Sequence, residues 1–114
     1  MVKDILTGAG FVEDKTFTET CFIQPPEDTS YAVYLEEIDR RGADNLNLVT
    51  EHVVTIELYE YYKDPETEAK IEAELDKRAI EYHKEPRYWL ETEQLWQVLY
   101  TFNHTSKGVL IYEC

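Results

Sequence analysis

The order of sequence patterns predicts an α+β domain, in which a largely antiparallel β-sheet of about five strands carries two α-helices packed on it. The patterns run helix, three strands, helix, two strands, and no repeat or interdomain linker interrupts them. The chain has 114 residues, of which 43% are hydrophobic, and this is enough apolar material for one core. We therefore expect a single domain over residues 1–114.

The N-terminal part predicts a short helix followed by a strand. Apolar residues recur at helical spacing at Val2, Ile5, Leu6 and Ala9. Gly8 and Gly10 then supply the left-handed backbone conformations that end helices at little cost. Residues 16–23, TFTETCFI, are rich in Thr and Phe and indicate the first strand, which the prolines of QPPEDTS end.

Two longer strands follow, at residues 31–39 and at about 50–62. Between them, RRGADN supplies the Gly, Asp and Asn residues that turns require. Because side chains alternate across a strand, one face of the third strand holds Val54, Ile56 and Leu58, and the other face holds Thr55, Glu57 and Tyr59. We expect the first of these faces to be buried.

The second helix has the strongest local signal in the chain. Asp64 is a favoured N-cap and Pro65 suits the first helical position, while Glu66 and Glu68 complement the positive end of the helix dipole. A narrow apolar stripe then indicates a helix that packs one face on the sheet, at Ile71, Leu75 and Ala79.

The C-terminal part predicts a hairpin, RYWLE at 87–91 and LWQVLYTFNH at 95–104. The second strand places four large apolar residues on one face, Trp96, Val98, Tyr100 and Phe102. The last stretch, VLIYEC at 109–114, fits either a short strand or a tail that docks on a neighbour, and the sequence leaves both open.

The charge balance excludes some partners. The net charge is −13, from 24 acidic and 11 basic residues, so the surface should repel phosphate backbones and anionic lipids. Such a surface fits a solvated exterior, a basic partner, or a wall past which nucleic acid moves without binding. Cys21 and Cys114 are too few for a disulfide framework, and no apolar run is long enough for a signal or a membrane span, so we expect reduced thiols in the cytoplasm.

Catalytic or metal-binding patterns are not visible. His52, His83 and His104 are isolated in sequence, and three histidines meeting by folding is the least favoured possibility. Neither cysteine has a basic neighbour, and with 24 acidic residues, adjacent carboxylates carry no information. We expect a protein that is not an enzyme, with no catalytic residue, no metal and no cofactor.

Aromatic and basic residues give the candidates for a subunit interface. YEYY at 59–62 and YW at 88–89 alternate faces, so some rings point away from the core; they contact another subunit or lie under a helix. The basic stretch DRRGADNLN is either a solvated tip or a contact with the acidic surface of an identical neighbour. The resulting candidates are Arg40, Arg41, Asp44, Tyr59 and Tyr61.

Three stretches together resemble small tail-completion proteins of tailed bacteriophages, of the tail-terminator or head-tail joining type: YAVYLEEIDRRGADNLN, HVVTIELYEYYKDPETEAKIEAELDKRAIEYHKE and WLETEQLWQVLYTF. The shared features are an aromatic strand followed by a G-A-D loop, the IELY strand, the D-P-E-T-E helix start and the E-x-L-W-Q-V-x-Y-x-F hairpin strand. They span about residues 31–103. The N-terminal segment and residues 104–114 are less similar.

The resemblance implies a β-sheet flanked by helices and a homo-oligomeric ring, commonly of six subunits, at the top of the tail. Such a ring ends the tail tube, contacts the tail tube protein and the neck or connector protein, and lets DNA pass without specific binding. The protein would then reside in the virion, after assembly in the host cytoplasm, with part of its acidic excess facing the channel. Two alternatives stay open: an acidic inhibitor or antitoxin that blocks a basic protein, and, least favoured, a small metal-dependent hydrolase.

Overall fold

The computed structural model describes the backbone of residues 1–41 and 49–107 and the side chains of residues 1–38 and 51–104. Two helices and six strands follow one another in this part of the chain: α1 Val2–Gly8, β1 Phe17–Glu19, β2 Tyr31–Arg41, β3 Val49–Glu60, α2 Pro65–Lys77, β4 His83–Lys84, β5 Tyr88–Leu90 and β6 Leu95–Lys107. The predicted α+β class is confirmed. The sheet has one strand more than expected, because the two-residue strand β4 carries no readable alternation pattern.

The sheet is mostly antiparallel, with the strand order β1-β2-β3-β6-β4, and β5 pairs β6 beside β4. Only β1 runs parallel to its neighbour, β2. Leu58 of β3 lies between Ala32 of β2 and Val98 of β6, which fixes the register across the middle of the sheet. The predicted hairpin of β5 and β6 is confirmed, with Trp89 opposite Trp96.

Both helices pack on the same face of the sheet, here called the covered face. The predicted inward residues of β3 are buried, with Ile56 and Leu58 at 0% exposure. Burying a side chain of this size contributes about 1.5 to 3 kcal/mol. The core cluster on this face joins helix and strand residues, chiefly Ile5, Leu6, Tyr34, Val54, Ile56, Leu58, Ile71, Leu75, Val98, Tyr100 and Phe102.

Helix α2 begins as predicted. The Asp64 side chain accepts a hydrogen bond from the Thr67 backbone N–H at 3.2 Å and from the Thr67 hydroxyl at 2.7 Å, and Pro65 is the first helical residue. The Asp64 carboxylate also accepts a bond from the Ser30 hydroxyl at 2.8 Å, which ties the helix start to the segment before β2.

The predicted apolar stripe of α2 is wrong at Ala79. The helix ends at Lys77, and Ala79 is exposed with a left-handed φ of 56°. The Ala79 N–H bonds the Asp76 carbonyl at 3.0 Å and the Ile80 N–H bonds the Leu75 carbonyl at 3.0 Å, which is the Schellman pattern of helix termination. Ile80 takes the place of Ala79 in the packing against the core.

Three strands extend beyond the helices as an arm, defined here as residues 36–41, 49–53 and 103–107. The core cluster stops at Tyr34 on β2, Val54 on β3 and Phe102 on β6, although these strands have 11, 12 and 13 residues. The described part of the molecule measures 49 × 29 × 23 Å as a consequence. Sheet pairing runs the length of the arm, from Glu36 opposite Val54 to Val49 opposite Lys107.

Candidate interaction surfaces and a buried charge network

The face of the sheet opposite the helices is the first candidate surface. Its rows read Leu35–Thr55–Thr101 and Glu37–Val53–Asn103 across β2, β3 and β6. We call Leu35, Val53, Thr55, Leu99 and Thr101 the open face. Leu35 is 37% exposed and the other four are half-buried between their sheet neighbours. The same side of the sheet also carries Glu37, Glu57 and Asn103, so it is a mixed surface on which Leu35 and Leu99 are the largest of the five side chains named.

One end of this side of the sheet is already covered, and Tyr59 belongs to that end. A small second cluster joins Tyr31, Val33 and Leu95, with Phe22 and Tyr59 packed against it. The Tyr59 ring stacks on Tyr31 with centroids 5.2 Å apart. Tyr59 is therefore half-buried rather than exposed.

The hydroxyl of Tyr59 is also engaged within the sheet. It donates to Glu57 Oε1 at 2.7 Å and accepts from Gln97 Nε2 at 3.2 Å. Burial and the bond to Glu57 raise the pKa of this hydroxyl. In the described part of the chain it is Phe22, from the segment that follows β1, and not a helix that packs against this ring. The predicted subunit contact of Tyr59 stays a prediction.

Tyr61 belongs to a second candidate surface, the aromatic patch, made of Tyr61, Tyr62, Lys63, Trp89 and Trp96. These residues line one shallow hollow at the end of β3. The two indole rings lie 5.1 Å apart and the two phenol rings 5.7 Å apart. Tyr62 is 76% exposed, Tyr61 38% and Trp89 36%. The sequence pointed to exposed rings at this position, but Trp89 and Trp96 are brought to them only by the β5–β6 hairpin.

The basic candidates lie at the opposite end of the molecule. Arg40 pairs Thr50 and Arg41 pairs Val49, so the two arginines are the last residues of β2, at the far end of the arm. Their side chains, and Asp44 altogether, lie outside the described residues. The structure thus places Tyr59 and Tyr61 at one end of β3 and the backbone of Arg40 and Arg41 beside its other end, and the contact role of each candidate stays a prediction.

Two of the three histidines meet on the underside of the arm. His52 Nδ1 lies 2.6 Å from Glu36 Oε2, and the His52 and His104 rings are 5.0 Å apart. Burial, followed by the nearby His52, lowers the pKa of His104. His83 instead contacts Glu85 at 3.1 Å. Within the described residues, no group of three or more His, Cys, Asp or Glu side chains is placed to hold a metal ion.

A buried charge network, which was not among the sequence-based expectations, lies between α2 and the β4–β5 edge. Arg87 donates from Nε to Glu60 Oε1 at 3.0 Å and from Nη2 to Glu68 Oε2 at 2.6 Å. Lys84 Nζ lies 3.0 Å from Glu68 Oε1 and 2.7 Å from Glu72 Oε2. Three carboxyl groups therefore face two cations.

The pKa values of Glu60 and Glu68 in this network are shifted in opposite directions. Glu60 is fully buried, and burial, with the hydrogen bond to Glu68 next, raises the pKa of Glu60 to about 7. Burial also disfavours the charged form of Glu68, but bonds from Glu60, Lys84 and Arg87 outweigh it and leave the pKa of Glu68 lowered. Glu60 Oε2 has no hydrogen-bond partner among the described residues.

The bonds of this network hold secondary-structure elements together. Each oxygen of Glu68 is already bonded to a cation, and the Tyr100 hydroxyl donates to Glu72 Oε2 at 2.8 Å. These bonds tie β4 and the start of β5 to α2 and β3. The available sequence signal was weak: Glu60 continues the inward-facing series of Ile56 and Leu58, so its position predicts a buried carboxyl that needs a partner.

Comparison with protein-family models and with curated proteins finds no match to this sequence. No helix in the described part of the chain is both long and apolar enough to cross a membrane.

Proposed function

We propose that this chain is a non-enzymatic structural subunit of a tailed bacteriophage, which forms a ring at the end of the tail, terminates the tail tube and joins it to the head or neck. The observation that carries the proposal is the division of the sheet: one face packs both helices, while the open face and the arm extend past them. A subunit that works through contacts needs a rigid core and, in addition, surfaces that its own core does not bury.

The shape supports assembly with copies of the same chain. The arm projects from one end of an elongated body and the aromatic patch lies at the other, so the two ends differ in chemistry. Two different surfaces on opposite ends favour heterologous, head-to-tail association, which closes into a ring when the rotation between subunits allows. The side chains that extend the contact are those of the open face, Leu35 and Leu99 above all.

The charge supports a ring around DNA. A net charge of −13 for each subunit multiplies around a ring and repels the phosphate backbone, so that DNA moves through without being held. The resemblance of residues 31–103 to tail-completion proteins supplies the biological setting, a virion protein assembled in the host cytoplasm.

Electron microscopy of the purified chain, alone and with purified tail tubes, tests the proposal. We expect ring-shaped particles with a central opening, and a cap of the same diameter on tubes whose growth has stopped. Native mass spectrometry gives the number of subunits in the ring, which we expect to be six. A strict monomer that ignores tail tubes but binds one basic protein tightly would contradict the ring and support the acidic inhibitor.

A further inference from the structure

The aromatic patch has the chemistry of a cation-binding surface. Lys63 Nζ already lies 4.8 Å from the centroid of the Trp96 ring, so one indole face holds a cation within the chain itself. The rings of Tyr62 and Trp89 offer further faces to solvent, at 76% and 36% exposure. Tyr and Trp faces bind guanidinium groups well, because the planar cation stacks on the ring.

Carboxylates beside the patch add to its preference for a cation. The charge of Asp28, with a smaller contribution from Glu27, raises the pKa of the Tyr61 hydroxyl, which places both acidic groups near the rings. With 24 acidic and 11 basic residues, the chain offers few cations of its own for such a site. The sequence has two pairs of adjacent Lys or Arg residues: Lys77 and Arg78, which both contact Glu74 at the end of α2, and Arg40 and Arg41 at the end of β2.

These arginines cannot reach the patch of their own chain. β3 pairs Arg41 at its residue Val49 and pairs Trp96 at its residue Glu60. That length of strand spans about 36 Å at ~3.3 Å per residue. A contact between the arm and the patch must therefore come from two different copies.

We propose that the aromatic patch of one copy binds the Arg40–Arg41 end of the arm of a neighbouring copy. This contact rests on the proposed function, because it names the partner surface that joins successive subunits of the ring. It combines stacking of guanidinium groups on Trp89 and Tyr62 with attraction by Asp28 and Glu27, and it is directional, since each subunit gives its arm to one neighbour and its patch to the other.

Complementation between two defective variants tests the contact. One variant carries Tyr62→Ala and Trp89→Ala, and the other carries Arg40→Ala and Arg41→Ala. Loss of two cation–π contacts should weaken self-association by roughly thirtyfold in either variant alone. In an equimolar mixture, the arms of the first variant meet intact patches of the second, so native mass spectrometry should show a heterodimer, whereas the wild type proceeds beyond dimers.

Val12→Ala is the control. Val12 is 53% exposed in the loop between α1 and β1 and belongs to neither the aromatic patch, the arm nor the open face, so its loss should leave association unchanged. Tyr62→Ala alone serves if the double patch variant does not fold, because its ring is mostly exposed. Tryptophan emission gives a second readout, since both tryptophans of the chain lie in the patch.

A small probe separates this contact from ring formation. N-acetyl-Arg-Arg-amide at millimolar concentration should change the tryptophan emission of the wild type, and the Lys-Lys analogue should do so less. If the arm variant loses assembly while the patch variant keeps it, or if the dipeptide has no effect, the inference is wrong and the ring can still stand. If the dipeptide binds and the variants complement, but microscopy shows only open chains, the inference holds and the ring proposal is wrong.

Discussion

The two faces of the sheet differ although the same strands build both. Along β3, Val54, Ile56 and Leu58 are buried under the helices at 1%, 0% and 0% exposure, whereas the alternating residues Val53 and Thr55 are half-buried and face outward. The covered face has the packing of a protein interior, and the open face has only the lateral contacts of a sheet. The helix layer therefore supplies most of the buried apolar contacts, and the proposed contacts with other subunits fall to the other side of the sheet.

The same substitution, leucine to alanine, can be made on the covered face at Leu58 and on the open face at Leu99. Leu58→Ala removes a side chain at 0% exposure from the core cluster and should lower the free energy of unfolding by about 2 to 5 kcal/mol. Leu99→Ala, on the open face, leaves no comparable cavity and should cost about 1 kcal/mol or less. Urea denaturation of both variants measures the difference. Equal losses would show that the open face is packed as tightly as the covered one.

Glu60 makes the covered face sensitive to pH. Its folded pKa of about 7 lies above its unfolded value, so its contribution to stability is fully present below the unfolded value and is lost as pH rises through about 7. Glu60→Gln keeps the neutral shape without that loss. We expect the variant to match the wild type near pH 5 and to be more stable by about 1 to 3 kcal/mol at pH 8.

Urea denaturation at the two pH values measures this effect, and Glu91→Gln, on the exposed β5–β6 turn, is the control that should show no such change. A Glu60→Gln variant that is less stable than the wild type at pH 8 would mean that Glu60 is ionised and paired with Arg87 in the folded protein.

A substitution at Ala79, just after the end of α2, should give the smallest change in stability of the variants considered. The φ of 56° at Ala79 lies in the left-handed region, which glycine adopts at no steric cost and which alanine adopts only at a steric cost. Ala79→Gly should therefore raise the free energy of unfolding by about 0.5 to 1 kcal/mol, in spite of the greater entropy of glycine in the unfolded chain. A thermal melt suffices. A lower melting temperature would show that the Ala79 side chain makes a stabilising contact.

The sequence predicted the elements that local signals define. The Asp64–Pro65 helix start, the inward series Val54, Ile56 and Leu58, and the β5–β6 hairpin are all present, because capping and alternation are properties of short segments. Ala79 was misassigned, since the helical spacing continues past the residue at which the backbone turns left-handed.

The buried network and the aromatic patch could not be predicted, because each depends on distant segments meeting. Glu60 and Arg87 are 27 positions apart and their pairing requires β5 to lie beside the end of β3. Trp89 joins Tyr62 in the same way, through the hairpin with β6. The sequence therefore predicted part of the candidate site. Exposed rings near the end of β3 were expected, but the surface that they form with Trp89 and Trp96 was not.

One double variant, Leu35→Glu with Leu99→Glu, tests most directly whether the covered face supplies stability and the open face supplies the contacts for assembly. Stability and assembly are measured on the same sample, by urea denaturation and by native mass spectrometry. Because both side chains lie on the open face, we predict a folded protein that loses about 2 kcal/mol or less of its free energy of unfolding, part of it because a carboxylate at position 99 faces Glu57, and that no longer forms the higher assemblies of the wild type. A variant that assembles like the wild type, or one that unfolds, would contradict the assignment of recognition to the open face.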